Sequence, residues 1–283
     1  MDRREFIEQL DANLRALDDW GESWPEFEPD ESMQVPAGTV STVMDELVSR
    51  LRENYPYHHP LYAGQMLKPP HPIAALAYAT TMRINPNNHA LDGGIATSKL
   101  EKEVVGDLAA MVGFPPTTLG HLTASGTIAN LEALWIARSL HPEKAIVISD
   151  QSHYTHARAC ELLQIPYLTV GSDERGRIDL AELQELLNSE IVGTVVATAG
   201  TTGVGAVDLI HDVRTITRAA GARLHVDAAY GGFFRLIVDD EELEMPRAAF
   251  HAMKSADSIV IDPHKHGLQP YGCGAILFRD PEV

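Results

Sequence analysis

The sequence is poor in cysteine and in positive charge, and it has no long apolar run. Its two cysteines, Cys160 and Cys273, form no CxxC pair, which excludes a disulfide framework and favours a reducing, cytoplasmic compartment. Lys plus Arg number 22 against 40 Asp plus Glu, a formal charge of −18 that repels nucleic acid and anionic membranes. No stretch approaches the roughly 20 apolar residues of a membrane span, and the charged N-terminus lacks a signal-peptide core. We therefore expect neither nucleic acid nor a membrane as a partner.

The remaining composition is that of a folded protein with room for about two domains. Hydrophobic residues make up 45% of the 283 residues and charged residues 22%. Residues 1–70 are predicted to be an N-terminal helical arm, and residues 71–283 a larger domain. The arm contains a second helix, Val40–Leu51, and its first helix has apolar residues at helical spacing: Phe6, Leu10, Leu14 and Leu17.

In the larger domain, short β-branched runs alternate with amphipathic segments, which predicts an α/β fold. The predicted strands are Ala145–Ser149, Tyr167–Val170, Thr194–Ala199, Arg223–Asp227, Ser258–Asp262 and Ala275–Phe278. The predicted helices are Ile128–Leu140, Tyr154–Leu163, Leu180–Leu187 and Val207–Ala220. This alternation predicts a mostly parallel sheet with helices on both faces, and a last strand that runs antiparallel because no helix precedes it. Ligands of such sheets bind at the carboxyl ends of the strands.

A small, hydroxyl-rich turn opens the first of these helices. The segment HLTASGTIAN, residues 121–130, places Ser125, Gly126 and Thr127 at the helix start. The free N–H groups and the helix dipole at such a start bind phosphate well. The same residues also suit an ordinary N-cap made by Ser125 or Thr127, so this motif alone does not decide between the two.

Two further motifs follow strands directly. His153, in SDQSHY, either faces a ligand or caps the helix that it precedes. The segment TAGTTG, residues 198–203, supplies threonine hydroxyls, including that of Thr202, or forms only a turn at the end of the strand.

An aspartate and a lysine end two other strands. Asp227 closes the apolar strand in HVDAAYGG, where a buried carboxylate requires a cationic or N–H partner, and the alanines after it leave room for a flat ligand. Lys265 follows the strand SIVI in DPHKHG, where partial burial favours a nucleophilic amine over an ordinary surface lysine. An amine, a carboxylate, a ring to stack, a phosphate cradle and small residues together fit pyridoxal 5'-phosphate.

The sequence resembles the pyridoxal-phosphate-dependent group II amino-acid decarboxylases, most closely the microbial tyrosine and aspartate decarboxylases. The resemblance runs from about residue 59 to the C-terminus and lies in SDQSHY, ATAGTT, LHVDAAYGG and above all IDPHKHGLQPYGCGAILFRD. It implies the large domain of the aspartate-aminotransferase type (fold type I), with a mostly parallel seven-stranded sheet.

The resemblance also implies a role for individual residues. Lys265 would form the Schiff base, Asp227 would pair with the pyridine nitrogen, and His153 would stack on the ring opposite Ala229. The phosphate would lie on Gly126, Thr127 and Ser125 with help from His264, and Thr202 would lie near the ring hydroxyl. The phosphate turn departs from the family at Ala124-Ser125 and at Ile128, where glutamate is frequent.

The implied activity is decarboxylation of an L-amino acid by a homodimer. The family continues into a small C-terminal domain with a mobile catalytic loop and a substrate-binding arginine. This sequence ends at Val283, so we expect that domain to be absent from the chain and activity to be low without it.

Three alternatives remain open at this point. They are a pyridoxal-phosphate lyase that cleaves a carbon–carbon bond in a phosphorylated amino alcohol, a non-catalytic cofactor-binding protein, and a metalloenzyme. For the last, His58-His59 and His264-x-His266 lack a ligand spacing typical of a metal site, so we predict no metal.

Overall fold

The computed structural model describes residues 1–57, 59, 61–64 and 66–283. Within them the chain forms two compact units, Met1–Pro86 and Asn87–Val283. The predicted functional division into residues 1–70 and 71–283 stays a prediction. No helix in the described part of the chain combines the length and apolar character needed to cross a bilayer.

The first unit is helical, as predicted. Its helices are α1 (Arg3–Gly21), α2 (Thr39–Leu51) and α3 (Pro72–Thr81), with a 3-10 turn at Glu31–Met33. Asp2 caps α1 by accepting a hydrogen bond from the Glu5 amide. Two polar contacts tie the end of the unit back to α1: Asn13 Nδ2 donates to Thr80 Oγ1 at 3.0 Å, and Arg83 pairs with Asp18.

The second unit alternates strands and helices. Its strands are β1 (Leu119–Thr123), β2 (Ala145–Ser149), β3 (Tyr167–Val170), β4 (Val192–Thr198), β5 (Arg223–Ala228), β6 (Ser258–Ile261) and β7 (Gly274–Phe278). Its helices are α4 (Ile95–Val112), α5 (Gly126–Leu140), α6 (Thr155–Leu163), α7 (Leu180–Ser189), α8 (Ile210–Ala219) and α9 (Arg247–Ala252). Two 3-10 turns, Gly232–Leu236 and Met253–Ser255, flank α9.

The strands form one seven-stranded sheet in the order β1-β7-β6-β5-β4-β2-β3. The pairs from β3 to β6 are parallel, and β7 is antiparallel to both of its neighbours. The predicted fold class, including the antiparallel last strand, is confirmed.

Alternate residues of the central strands pack into hydrophobic cores on opposite faces of the sheet. Helices cover both of these faces, as predicted. Val195 and Ala197 of β4 pack in the core with α4, α7, α8 and α9, whereas Val196 between them packs against α5 and α6. The central strands are therefore apolar on both faces, as expected of a covered parallel sheet.

Two of the differences from the sequence predictions have a clear structural cause. The strand β1 was not predicted, because LGHLT is short, contains glycine and lies half-exposed at the sheet edge. The helix predicted over 207–220 begins only at Ile210, because Val207 instead bridges to Ala199 after β4.

This topology brings several polar loops to one edge of the sheet. The strands β1, β2, β4, β5 and β6 all end there, and β7 begins there. The backbone is tight at this edge: a Cβ on Gly231, just after β5, would lie 2.1 Å from the carbonyl oxygen of Ala199. Only glycine permits that approach.

We predict that Gly231→Ala lowers the free energy of unfolding by about 2 kcal/mol, because the added methyl forces two backbone segments apart. The matched variant is Gly106→Ala in α4, where nothing lies within 4 Å of the new Cβ. That variant should raise stability by about 0.5–1 kcal/mol, since alanine favours a helix interior. Urea unfolding followed by circular dichroism measures both, and equal effects would contradict the argument.

Candidate active site

Asp227 is a buried carboxylate held by three hydrogen-bond donors. Its side chain lies at the end of β5 with 5% of the residue exposed. Oδ2 accepts from His156 Nε2 at 2.9 Å and from Asn130 Nδ2 at 3.3 Å, and Oδ1 accepts from the Ala229 amide at 3.0 Å. Burial raises the pKa of this carboxyl, but the bonds from His156 and Ala229 outweigh it and hold the pKa below its ordinary value. Asp227 is therefore ionised at neutral pH.

A hydrogen-bond chain behind Asp227 fixes the orientation of Asn130. His225 Nε2 donates to Asn130 Oδ1 at 2.9 Å, and the Ser258 hydroxyl donates to His225 Nδ1 at 2.8 Å. Burial lowers the pKa of His225 to about 3, so the ring is neutral and has one donor and one acceptor nitrogen. Because the Asp227 carboxylate only accepts, the Asn130 amide turns its N–H toward Asp227 and its oxygen toward His225, whose Nε2 therefore carries the hydrogen.

Lys265 lies beside the start of α5. Its Nζ is 3.0 Å from Oδ2 of Asp262, and its side chain is 20% exposed, which leaves the amine accessible. A Cβ on Gly126, the first residue of α5, would lie 2.7 Å from both carboxylate oxygens of Asp262. Glycine is thus required at position 126, where the loop that carries Asp262 and Lys265 meets the predicted phosphate turn.

The phosphate turn also has the geometry of an N-cap. Ser125 Oγ accepts from the Ile128 amide at 3.4 Å, so Ser125 caps α5. Gly126 is buried and Thr127 is exposed. Ser125 is therefore the N-cap of α5. The other N–H groups of the first turn point out of the helix end, and such groups attract anions.

His153 lies just before α6. Its ring is half-buried, and Nδ1 bonds to Thr155 Oγ1 at 2.8 Å. Burial lowers its pKa, with Asp227 opposing that shift and Lys265 adding to it. The ring is therefore near enough to the carboxylate and to the amine to interact electrostatically with both.

The remaining predicted residues lie in different surroundings. His264 is buried, and its Nδ1 contacts the Cys273 carbonyl oxygen at 2.6 Å. Ala229 is partly buried beside Asp227. Thr202 is exposed, whereas the neighbouring Thr201 is buried and its hydroxyl accepts a bond from the Ala206 amide.

Four polar residues of the site were missed from the sequence. They are Asn130, His156, His225 and Asp262. His156 follows His153 by three residues, a spacing that brings both to one end of α6, and Asp262 stands three residues before Lys265. These spacings are the only sequence signals for them, and each is common on ordinary surfaces.

The donor set fits pyridoxal phosphate. An amine, a buried carboxylate with its own donors, a half-buried ring and a helix start that begins with glycine are the groups that this cofactor requires. Among the described residues, no group of three or more His, Cys, Asp or Glu side chains is placed to hold a metal ion. His58, named in the metalloenzyme alternative, lies outside those residues.

The chain is similar to several known decarboxylases. It is 33% identical over 221 residues to a probable L-tyrosine/L-aspartate decarboxylase of Methanothermobacter thermautotrophicus, covering 77% of this chain and 59% of that protein. It is 31% identical over 242 residues to an L-aspartate decarboxylase of Thermococcus kodakarensis, covering 84% and 61%. A solved structure of Oryza sativa TDC with PLP and tryptamine matches all of this chain and 68% of its own, with a TM-score of 0.78 at 20% identity.

The fold is that of the large domain of fold type I pyridoxal-phosphate proteins. The family model described as the pyridoxal-dependent decarboxylase conserved domain matches residues 57–283. The chain belongs to that family, which confirms the predicted family and the predicted cofactor. It spans about 60% of the length of the curated relatives that it matches.

We predict that His156→Leu lowers the free energy of unfolding by about 2 kcal/mol, because Asp227 loses a donor in a place that water does not reach. The matched control is His251→Leu, since His251 contacts Asp239 at 2.7 Å and both side chains are exposed. The control should change stability by no more than the error of urea unfolding at neutral pH. Equal losses of stability in the two variants would show that burial does not make the contact between His156 and Asp227 more stabilising than an exposed one.

Proposed function

We propose that the protein decarboxylates an L-amino acid with pyridoxal phosphate bound to Lys265. One observation carries the proposal: Asp227 at the end of β5 and Lys265, just after the neighbouring parallel strand β6, lie at the same edge of the sheet. Pyridoxal phosphate is a flat cofactor that has an aldehyde at one end and a basic ring nitrogen at the other. It needs an amine near the aldehyde and a carboxylate near the nitrogen.

Asp227 would hold a proton on the pyridine nitrogen. Its carboxylate stays ionised because its donors outweigh burial, so it stabilises a positive charge beside it. The bound cofactor would supply an electron sink for the pair left behind when carbon dioxide departs. The Asn130 amide and the His156 ring would keep the carboxylate oriented toward that nitrogen.

The other predicted residues would position the cofactor. His153 would cover one face of the ring, and the small side chain of Ala229 would leave the other face open. Gly126, Thr127 and Ser125 would hold the phosphate at the start of α5, with His264 nearby, because first-turn N–H groups and the helix dipole attract anions. Thr202 would adjoin the ring hydroxyl. Because Thr202 is exposed, this role requires the loop after β4 to rotate.

The relatives suggest which substrate to test. Two of them are named as decarboxylases of L-aspartate, and one of these also of L-tyrosine. We propose these two amino acids as the first substrates. Family membership does not favour the carbon–carbon lyase, the non-catalytic protein or the metalloenzyme.

We also propose a cytoplasmic homodimer. The two cysteines are free, which suits a reducing compartment. The helix α2 leaves a row of apolar side chains exposed, and a second copy of the chain would cover them: Val40, Val43, Met44, Leu47, Val48 and Leu51.

Lys265→Ala should abolish covalent attachment of pyridoxal phosphate, because no other lysine of the described residues forms an ion pair with Asp262. The protein is incubated with the cofactor, reduced with borohydride, digested and mapped by mass spectrometry. The wild type should carry the label on the peptide that contains Lys265. The matched control is Lys102→Ala, an exposed lysine of α4, which should label as the wild type does.

The same preparations are assayed for carbon dioxide release from L-tyrosine and L-aspartate. Release by the wild type and Lys102→Ala, falling to background in Lys265→Ala, supports the proposal. Label on another lysine, or equal release by Lys265→Ala, would contradict it.

The dimer is tested by sedimentation. The wild type should sediment as a dimer at micromolar concentration, and Leu47→Glu should shift it toward monomer by placing a charge in the apolar row. A wild type that is monomeric throughout would contradict the proposed assembly.

A further inference from the structure

Asp262 is a buried carboxylate whose nearest basic group among the described residues is the amine of Lys265. It is 3% exposed, and its Oδ2 lies 3.0 Å from Nζ of Lys265. Its other oxygen, Oδ1, is buried without a hydrogen-bond partner among the described residues. An ionised carboxylate in such a place is costly unless a positive charge compensates it.

His264 lies farther from the carboxylate than Lys265 does. Its Nδ1 is held by the backbone of Cys273, 2.6 Å from the carbonyl oxygen and 3.3 Å from the amide nitrogen. Its Nε2 lies 3.8 Å from Asp262 Oδ2, against 3.0 Å for Nζ of Lys265. Lys265 therefore makes the closer charge contact with Asp262.

The groups facing this pair from other elements do not replace Lys265. Burial raises the pKa of Asp262, Lys265 and His264 oppose that shift, and Asp227, from β5, adds a like charge that raises it further. Burial raises the pKa of Cys273, just before β7, to about 11, so its thiol is uncharged. His153, before α6, has its pKa lowered by burial, and α5 contributes the uncharged Gly126.

We propose that Asp262 is the counter-ion that holds Lys265 as an ammonium ion in the cofactor-free protein, and so sets the pH at which its amine becomes free to capture the cofactor. The proposal rests on the proposed function, since it concerns the amine assigned to the cofactor. The sequence alone predicted surroundings that favour the free amine of Lys265. The contact with Asp262 instead favours its protonated form.

The contact has a direct consequence for capture. Only an amine that has lost its proton attacks an aldehyde, and the 3.0 Å contact to Asp262 stabilises the protonated form. Asp262→Asn keeps the shape and removes the charge. The pH at half-maximal capture rate should then fall by about one unit or more, the usual effect of a close opposite charge.

The experiment measures the rate of covalent capture of pyridoxal phosphate, by borohydride trapping, from acid to alkaline pH. The three proteins are the wild type, Asp262→Asn and Asp107→Asn, an exposed aspartate of α4 that gives the same change in net charge. Titration of the cofactor itself is common to all three and cancels in the comparison. A structural role of Asp262 would lower the rate at every pH without moving the midpoint.

A midpoint that falls in Asp262→Asn but not in Asp107→Asn supports the inference. An unchanged or higher midpoint in Asp262→Asn overturns it and leaves the proposed function intact. Absence of capture by the wild type overturns both.

A second measurement needs no variant and applies if Asp262→Asn does not fold. Trace acetylation of the cofactor-free wild type, read by mass spectrometry, compares Lys265 with the exposed Lys102. Half-maximal reaction of Lys265 at a higher pH than Lys102 supports the counter-ion role, and an equal or lower pH overturns it.

Discussion

The negative charge on Asp227 depends on donors that the fold, not the solvent, provides. Away from water, a carboxylate is stable only if hydrogen bonds replace its hydration. Here the three donors belong to α5, to α6 and to the turn after β5, so the carboxylate stays ionised while buried only because the sheet and its helices are assembled around it. A loss of packing at this edge therefore removes the donors that hold the carboxylate in place.

The sheet also explains why residues distant in sequence meet. Parallel strands joined by crossover helices bring their carboxyl ends to one edge, and the antiparallel β7 returns its amino end to the same place. Asp227 lies near the end of β5, and Lys265 follows the neighbouring strand β6. The start of α5 lies beside the loop that carries Lys265, where Gly126 is next to Asp262. The closeness of these loops is set by glycine, since a methyl group at Gly126 or Gly231 would collide with its neighbour.

Much of this fold was predictable, because apolar strands and amphipathic helices leave a clear periodicity in the sequence. The exception among the strands, β1, is half-exposed at an edge and lacks that periodicity. The family was predictable from LHVDAAYGG and IDPHKHG, whose residue types match one chemistry. The network behind Asp227 was not, because nothing in the sequence shows that His156, Asn130 and His225 point at one carboxylate. Such contacts follow from helix rotation and strand register, which emerge only in three dimensions.

The central claim is that one flat cofactor lies between the amine of Lys265 and the carboxylate of Asp227. The most direct measurement is a crystal structure of the protein grown with pyridoxal phosphate. The account predicts continuous density from Nζ of Lys265, a pyridine nitrogen within hydrogen-bond distance of Asp227, and the phosphate at the start of α5. Density joined to a different lysine, or a ring whose nitrogen faces away from Asp227, would contradict it.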